Sequence, residues 1–192
     1  MEENYLAAMA AHGDREALAS LVTRYRHYVY TIAYKITLNE EDAFDITQNV
    51  FLKVVTNISQ FKSEGSFRSW LATISSHEAL SYLRGGKAHE FPVPPERMSW
   101  LIDRRQPLEG AEVIDVIENQ DRRRLVEQAM GGLSDQQRAI VVLFLTEDMR
   151  PTEIARRLGI PAPQVGTQLK RAMVKLRETL EGPKEQSKQA AK

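Results

Sequence analysis

Residues 42–84 decide the fold. This stretch begins DAFDITQNVFLKV at residues 42–54 and closes FRSWLATISSHEALSYLR at residues 67–84. In its first half, polar residues recur at i, i+3, i+7 and i+11, a spacing that places them on one face of a helix. They are Asp42, Asp45, Asn49 and Lys53. In its second half, Phe61, Phe67 and Trp70 accompany a second predicted helix, from about Ser66 to Arg84.

The composition is that of a folded protein without cysteine chemistry. The chain has 192 residues, 42% of them hydrophobic, and no cysteine, which excludes disulfides and thiolate metal sites. No run of about 18 apolar residues is present. The acidic N-terminus, MEENYLAAMAAHGD, does not resemble a secretion signal. The pattern therefore predicts a protein that is not inserted in a membrane.

The net charge of zero conceals an uneven distribution of charge. Residues 121–192 carry 14 Lys and Arg against 9 Asp and Glu, a net charge of +5. A positive C-terminal third suits contact with phosphates. A helical domain with many exposed basic side chains would have the same charge, so this feature alone leaves both interpretations open.

Capping signals predict where the helices begin. Asp14, Asn39, Ser66 and Ser134 are the candidate N-caps. Ser134 with Gln137 forms an S-x-x-Q capping box, and Asn39 with Asp42 is an acidic variant of it. Apolar spacing predicts two successive helical segments after Asp14, the second running from Tyr28 to Leu38. No β signal competes, and the apolar run at residues 139–145 is predicted to be helical.

A proline-rich segment separates two helical regions. Pro92, Pro94, Pro95 and Pro107 prevent regular structure over much of it. The predicted organisation is an all-α protein with one domain at residues 1–86, a linker at 87–120, a second domain at 121–182 and a disordered tail at 183–192. The apolar island at residues 100–102 would pack on a neighbouring domain or thread a partner.

Residues 149–177 have the spacing of a helix-turn-helix. Pro151 suits a first helical turn, Gly159 permits a left-handed turn, and Pro163 opens a second helix. Val165, Leu169, Ala172, Met173 and Leu176 are the residues of that helix predicted to face inward. The amides, hydroxyls and basic groups on its exposed face could reach base edges and phosphates. An ordinary corner between two helices is the alternative.

Both regions resemble the extracytoplasmic-function (ECF) group of bacterial RNA polymerase sigma factors. The string EDAFDITQNVFLKV…FKSEGSFRSWLATIS…ALSYLR is similar to their second domain, and EIARRLGIPAPQVGTQLKR to their fourth, a helix-turn-helix. The resemblance implies a subunit that binds core RNA polymerase and recognises the −10 and −35 elements of promoter DNA. It also implies a cytoplasmic, nucleoid-associated location, no catalytic activity, no cofactor and no metal, and an anti-sigma factor as a partner.

The resemblance assigns three groups of residues. The surface that docks on the polymerase β′ and β subunits would contain Asp42, Asp45, Gln48, Asn49 and Phe51. Recognition of −10 and strand opening would use Phe61, Phe67, Arg68, Trp70, Thr73, His77, Ser81 and Arg84. Contact with −35 would use Arg150, Thr152, Gln164, Val165, Thr167, Gln168, Lys170, Arg171 and Lys175. The three aromatic residues could stack on unpaired bases or belong to the core.

The chain departs from the family pattern at several of these positions. Members often carry Glu where Asn49 stands and Asn where His77 stands. The Lys and Arg that usually open the recognition helix are Gly166 and Gln168 here. Gly166 and Gln168 remove two positive charges from the start of the recognition helix, and Asn49 removes one negative charge from the predicted polymerase-binding surface.

Two other functions compete with this one. A stand-alone helix-turn-helix regulator would bind duplex DNA tightly without polymerase. A helical hydrolase or metal-dependent enzyme would need clustered histidines and carboxylates, whereas the four histidines, at positions 12, 27, 77 and 89, are scattered along the sequence.

Overall fold

The computed structural model describes residues 2–61, 65–85 and 116–181, with the side chains of residues 116–123 left out. Every regular element in these ranges is helical. The N-terminal group comprises α1 (Glu2–Ala11), α2 (Arg15–Thr37), α3 (Glu40–Asn57), a 3-10 helix (Ile58–Gln60) and α4 (Phe67–Leu83). The C-terminal group comprises α5 (Val116–Gly131), α6 (Asp135–Glu147), α7 (Pro151–Leu158) and α8 (Ala162–Glu181). The all-α prediction is thus confirmed.

Apolar stripes on α2, α3 and α4 form the N-terminal core. The α2 stripe includes Leu21, Val29, Ile32 and Ile36, and it packs against Ile46, Val50 and Val54 of α3. Leu71, Ala72 and Ala79 complete the core from α4. Packing of these stripes, spaced at the helical period, supplies most of the stability of such helices.

Several helix ends lie where the capping residues predicted them. The Asp14 side chain accepts hydrogen bonds from the backbone N–H groups of Glu16 and Ala17. Ser134 and Gln137 form the complete capping box of α6. Gly159 adopts a left-handed φ of 64° between α7 and α8. Asp14 and Ser134 accept hydrogen bonds from backbone N–H groups that the start of a helix leaves unpaired, and Gly159 donates its own N–H to the Ala155 carbonyl at the end of α7.

Two predicted caps have different partners from those expected. Asn39 caps α3 through its side chain, but its own N–H donates to Thr37, not to Asp42, so the acidic capping box is absent. Ser66 occupies the N-cap position of α4 without a side-chain hydrogen bond. The side chain of Asn4 in α1 instead accepts from the Phe67 N–H at 3.0 Å, a contact from a distant part of the chain.

Four further differences concern element bounds and burial. The two segments predicted after Asp14 are one continuous helix, α2. Helix α1 was not predicted, and it buries Ala7 and Ala10. Met173, predicted to face inward, is exposed, because it lies beside the buried stripe of α8, which runs through Val165, Leu169, Ala172 and Leu176. Helix α5 begins within the range predicted as linker; residues 86–115 and 182–192, which hold the rest of that segment and the predicted tail, lie outside the described residues.

The two helix groups pack directly on each other. Contacts join α2 and α4 of the N-terminal group to α6 of the C-terminal group, and α4 also meets α7. Buried residues from both groups belong to one continuous apolar cluster. Among the helices of the described ranges, none is long and apolar enough to cross a membrane.

Candidate nucleic-acid and protein interfaces

The acidic start of α3 forms the first candidate surface. Asp45 is exposed and Asp42 is half-buried, whereas Asn49 and Phe51 are buried. Tyr82 of α4 lies beside these carboxylates, and its pKa is raised by burial, by its hydrogen bond to Asp42, and by the nearby acidic charges. The five residues assigned to this surface therefore divide into an accessible acidic part and a part that belongs to the core.

Unpaired amide groups lie behind the acidic residues. The side-chain nitrogens of Gln48 and Asn49 are buried and have no hydrogen-bond partner among the described residues. Farther along α3, the Lys53 ammonium pairs with the carboxylate of Glu78, whose side chain is only 5% exposed. The predicted polar face of α3 is thus partly an internal polar layer between α3 and α4.

Four aromatic side chains form a cluster at the start of α4. Phe67 is fully buried, and its ring lies 5.3 Å from Tyr25, 5.6 Å from Phe61 and 5.7 Å from Trp70, measured between centroids. Phe61 is buried and Trp70 is partly buried. In this arrangement Phe61 and Phe67 stabilise the core, and Trp70 is the most accessible of the three residues assigned to strand opening.

A polar stripe runs along the outer face of α4. Ser69, Thr73, His77 and Ser81 follow one another every four residues, so they share one face. His77 is exposed, and Thr73 and Ser81 are half-buried. Arg68 and Arg84 are exposed at the two ends of this helix. The structure brings together the polar residues assigned to −10.

The N-terminal part of this stripe is covered by the C-terminal helices. Arg68 donates to the carboxylate of Glu147 at 3.0 Å, and His77 donates through Nε2 to the Arg157 carbonyl oxygen at 2.5 Å. Arg157 also donates to the Thr73 hydroxyl at 3.0 Å. Glu147 and Arg157 were not among the predicted site residues, because no local pattern indicates which distant helix an exposed-face residue will meet.

Helices α7 and α8 have the geometry expected of a helix-turn-helix. Ile154, Ala155 and Leu158 of α7 face Val165 and Leu169 of α8 across the turn at Gly159. Burial places Val165 in the core, not on the outer face. The exposed residues assigned to −35 are Arg150, Thr152, Gln164, Thr167, Lys170, Arg171 and Lys175.

Two of the amides on α8 contact α6. Gln168 is half-buried and accepts a hydrogen bond at 2.9 Å from Gln137, the residue that completes the α6 capping box. Gln164 donates to Gln136 at 3.4 Å. Gln168 therefore links the recognition helix to its support, whereas Lys170 and Arg171 extend into solvent. In the described part of the chain, no three His, Cys, Asp or Glu residues are grouped as a metal site would require.

Two family models match the chain in order. Sigma-70 region 2 matches residues 21–89, and Sigma-70 region 4 matches residues 123–176. Among curated relatives, the ECF RNA polymerase sigma factor SigW of Bacillus subtilis is 25% identical over 170 residues, which span 88% of this chain and 91% of that protein.

Two solved structures share the fold. CnrH in complex with the cytosolic domain of CnrY superposes with a TM-score of 0.61 at 23% identity, covering 94% of this chain and 98% of CnrH. The sigma factor RpoE in complex with the anti-sigma factor NepR, from Bartonella quintana, gives a TM-score of 0.55 at 18% identity, covering 86% of this chain and 95% of RpoE.

Proposed function

The chain belongs to the ECF group of bacterial RNA polymerase sigma factors, and we propose how its two helical regions divide the work of promoter recognition. Residues 1–86 bind core polymerase and act at −10, and residues 121–182 bind −35, with residues 87–120 as the connection. The observation that carries this proposal is the order of the two family matches, each of which covers a helical region with an accessible polar face.

The acidic start of α3 is the surface proposed to dock on the polymerase. Asp45 is exposed and can pair with a basic side chain of the β′ subunit, and Asp42 adds a second carboxylate beside it. Charge pairs at the rim of an interface steer association and fix its register. The buried amides of Gln48 and Asn49 would gain hydrogen bonds if the partner draws these side chains outward. Phe51 supports the surface from the core.

The outer stripe of α4 is the surface proposed to meet −10. Thr73, His77 and Ser81 can hydrogen-bond with exposed base edges, while Arg68 and Arg84 neutralise phosphates. Trp70 can stack on an unpaired base, because part of its ring is accessible. Phe61 and Phe67 hold α4 in place from the core. The stripe thus combines base contacts with backbone contacts on one helix.

The outer face of α8 is the surface proposed to read −35. Gln164 and Thr167 lie in its first turns, where a recognition helix contacts base edges. Lys170, Arg171 and Lys175 follow at the positions that reach phosphates, and Arg150 and Thr152 add backbone contacts from the start of α7. Gln168 and Val165 position the helix from beneath.

Partners and class follow from the same proposal. Sigma factors are initiation factors without catalytic activity of their own, and they act with core polymerase on promoter DNA in the bacterial cytoplasm, where the chain would be associated with the nucleoid. One structural neighbour is bound to an anti-sigma factor, which favours an inhibitor of this kind as a partner here. A stand-alone regulator is not favoured, because region 2 of the sigma factors matches the N-terminal helices.

Binding of the chain to purified core polymerase tests the proposal. Asp45→Arg reverses an exposed charge on α3, and Glu16→Arg makes the same change on the exposed face of α2. We expect Asp45→Arg to lose binding and Glu16→Arg to retain it. Equal binding by both variants would remove the α3 surface from the interface.

A further inference from the structure

A buried carboxylate of the C-terminal helices lies in a ring of donors from the N-terminal helices. Glu147, the last residue of α6, accepts hydrogen bonds from the hydroxyl of Tyr28, from Arg68 Nε at 3.0 Å and from the Ser69 hydroxyl at 3.2 Å. The Glu147 side chain is only 3% exposed. Three donors from α2 and α4 therefore converge on one anionic group.

The donors hold their positions through contacts of their own. The Arg68 guanidinium lies over the Tyr28 ring, 4.2 Å from its centroid, which orients both side chains toward the same point. Tyr28 also packs edge-on against Tyr25, at 5.8 Å between ring centroids. Burial, together with the hydrogen bond and charge of Glu147, raises the pKa of the Tyr28 hydroxyl, so Tyr28 remains a donor at neutral pH. The ring contacts thus hold Tyr28 and Arg68 beside each other, in addition to their hydrogen bonds to Glu147.

The position of Glu147 is unfavourable for the helix that carries it. A carboxylate at the C-terminus of a helix lies at the negative end of the helix dipole, and a buried charge loses its hydration. The donors of α2 and α4 are thus the compensation for this carboxylate. Glu147 destabilises the end of α6, and it does so while joining α6 to the N-terminal helices. Its role is therefore the contact between the two helix groups.

Arg157 of α7 makes a second contact with the same face of α4. It donates to the Ser69 carbonyl at 3.1 Å and to the Thr73 hydroxyl at 3.0 Å, and its own carbonyl accepts from His77. Glu153 orients the guanidinium at 2.8 Å. Glu147 and Arg157 together thus contact Ser69, Thr73 and His77 of the polar stripe of α4, whereas His77 remains exposed.

We infer that Tyr28, Arg68 and Ser69 form a binding site for a phosphate of single-stranded promoter DNA, and that Glu147 occupies this site in the free chain in place of the phosphate. Two hydroxyls and a guanidinium are the donors that proteins use to hold DNA phosphates. A carboxylate resembles a backbone phosphate in presenting two oxygens that share one negative charge. The C-terminal helices therefore mask the N-terminal part of the −10 surface until DNA and polymerase displace them, which is an inference that rests on the proposed function of α4.

Removal of the Glu147 charge tests the inference. Glu147→Gln keeps the shape of the side chain, and Glu178→Gln makes the same change at an exposed site on α8. The probe is fluorescein-labelled oligo(dT), because phosphate contacts are independent of sequence. The full-length chain is titrated with this probe in the absence of polymerase, and circular dichroism verifies that each variant is folded.

Domain separation is measured on the same variants. The natural chain has no cysteine, so Ser59→Cys and Leu180→Cys, both at exposed positions, introduce the only two sites for spin labels. We expect a narrow distribution of distances between the two labels in the otherwise unchanged chain and a broad distribution in Glu147→Gln. The affinity for oligo(dT) rises by about tenfold if the masked form makes up about nine-tenths of the free chain. Adding Tyr28→Phe to Glu147→Gln should reverse part of this gain, because one phosphate donor is lost.

Each result decides between the alternatives. A broad distribution of label-to-label distances in Glu147→Gln, without tighter binding of oligo(dT), would show that the donors do not form a phosphate site. An unchanged distance distribution would show that Glu147 does not hold the helix groups together. Promoter-specific transcription by the natural chain with core polymerase separates these failures from that of the proposed function. If the natural chain supports transcription but Glu147→Gln does not bind oligo(dT) more tightly, only this inference fails. If Glu147→Gln binds oligo(dT) more tightly but the natural chain does not support transcription, the phosphate site stands and the sigma function fails.

Discussion

Replacement of Phe67 by Ala separates the two roles considered for the aromatic cluster. Phe67 is fully buried and contacts three other aromatic rings. A buried Phe→Ala change costs about 3–5 kcal/mol, and each aromatic pair adds about 0.5–1.5 kcal/mol beyond burial. We therefore expect a loss in the upper half of that range. Since whole domains are stable by about 5–15 kcal/mol, much of the stability of the N-terminal helices would be lost.

Urea unfolding of the full chain, followed by far-ultraviolet circular dichroism and by tryptophan fluorescence, measures this loss. Trp70 lies 5.7 Å from Phe67 between ring centroids, so its emission reports on the cluster. Phe67→Leu fills most of the space that Phe67→Ala would leave empty, so it should cost less than Phe67→Ala, but it still loses three aromatic pairs at about 0.5–1.5 kcal/mol each. Tyr5→Ala is the control, because Tyr5 is 65% exposed and its loss should cost less than about 0.5 kcal/mol.

The reasoning is refuted if Phe67→Ala unfolds at the same urea concentration as Tyr5→Ala. The same holds if the variant keeps its stability but cannot open promoter DNA, since Phe67 would then leave the core to stack on bases. A large loss of stability would instead limit the search for stacking side chains to Trp70.

Three further substitutions probe the ion pair, the turn and the recognition helix. Lys53→Met leaves the Glu78 carboxylate buried without its partner and should cost about 3–5 kcal/mol of unfolding free energy, measured by urea titration. Gly159→Ala should cost about 1–2 kcal/mol, because its φ of 64° strains any residue with a Cβ although no atom lies within 4 Å. Arg171→Ala should weaken binding of the holoenzyme to −35 duplexes of every sequence, and it should reduce the slope of log affinity against log salt by about 1.

Each of these expectations has a result that contradicts it. An unchanged urea midpoint for Lys53→Met would mean that water reaches Glu78. Full stability of Gly159→Ala would mean that the turn can adopt another conformation. An unaltered salt slope for Arg171→Ala, with Glu178→Ala as the matched change on the same helix, would mean that Arg171 does not contact phosphate.

Local sequence signals predicted the helices because the relevant interactions are local. Asp14 and Ser134 cap their helices through backbone groups two or three residues away, and Gly159 acts through its own φ. The buried faces of α7 and α8 follow from helical periodicity. For Met173 the periodicity was not sufficient, because Ala172 and Leu176 are the residues of this part of α8 that reach the core and Met173 lies beside them.

Contacts between distant parts of the chain could not be predicted from the sequence. Asn4 caps α4 from α1, a separation of 63 residues, where Ser66 alone was expected to do so. Glu147 meets α4 across 78 and 79 residues, and Arg157 meets it across 80 to 88 residues. Nothing in their local sequence distinguishes them from solvent-exposed charges. Spacing placed Asn49 and Lys53 on one face of α3, and the resemblance made Asn49 part of the docking surface, yet Asn49 is buried and Lys53 pairs with Glu78 of α4. The helices that carry the candidate residues were thus predictable, and the exposure of the individual residues was not.

Run-off transcription with purified core polymerase tests the central claim most directly. Core polymerase, the chain, and both together are incubated with a library of promoter fragments, and binding of the free chain to duplex DNA is measured in parallel. If the chain is a sigma factor, we expect new start sites only when both proteins are present, preceded by shared −10 and −35 sequences. We also expect the chain alone to bind duplex DNA weakly. Tight duplex binding by the free chain, with no new start sites, would contradict the central claim.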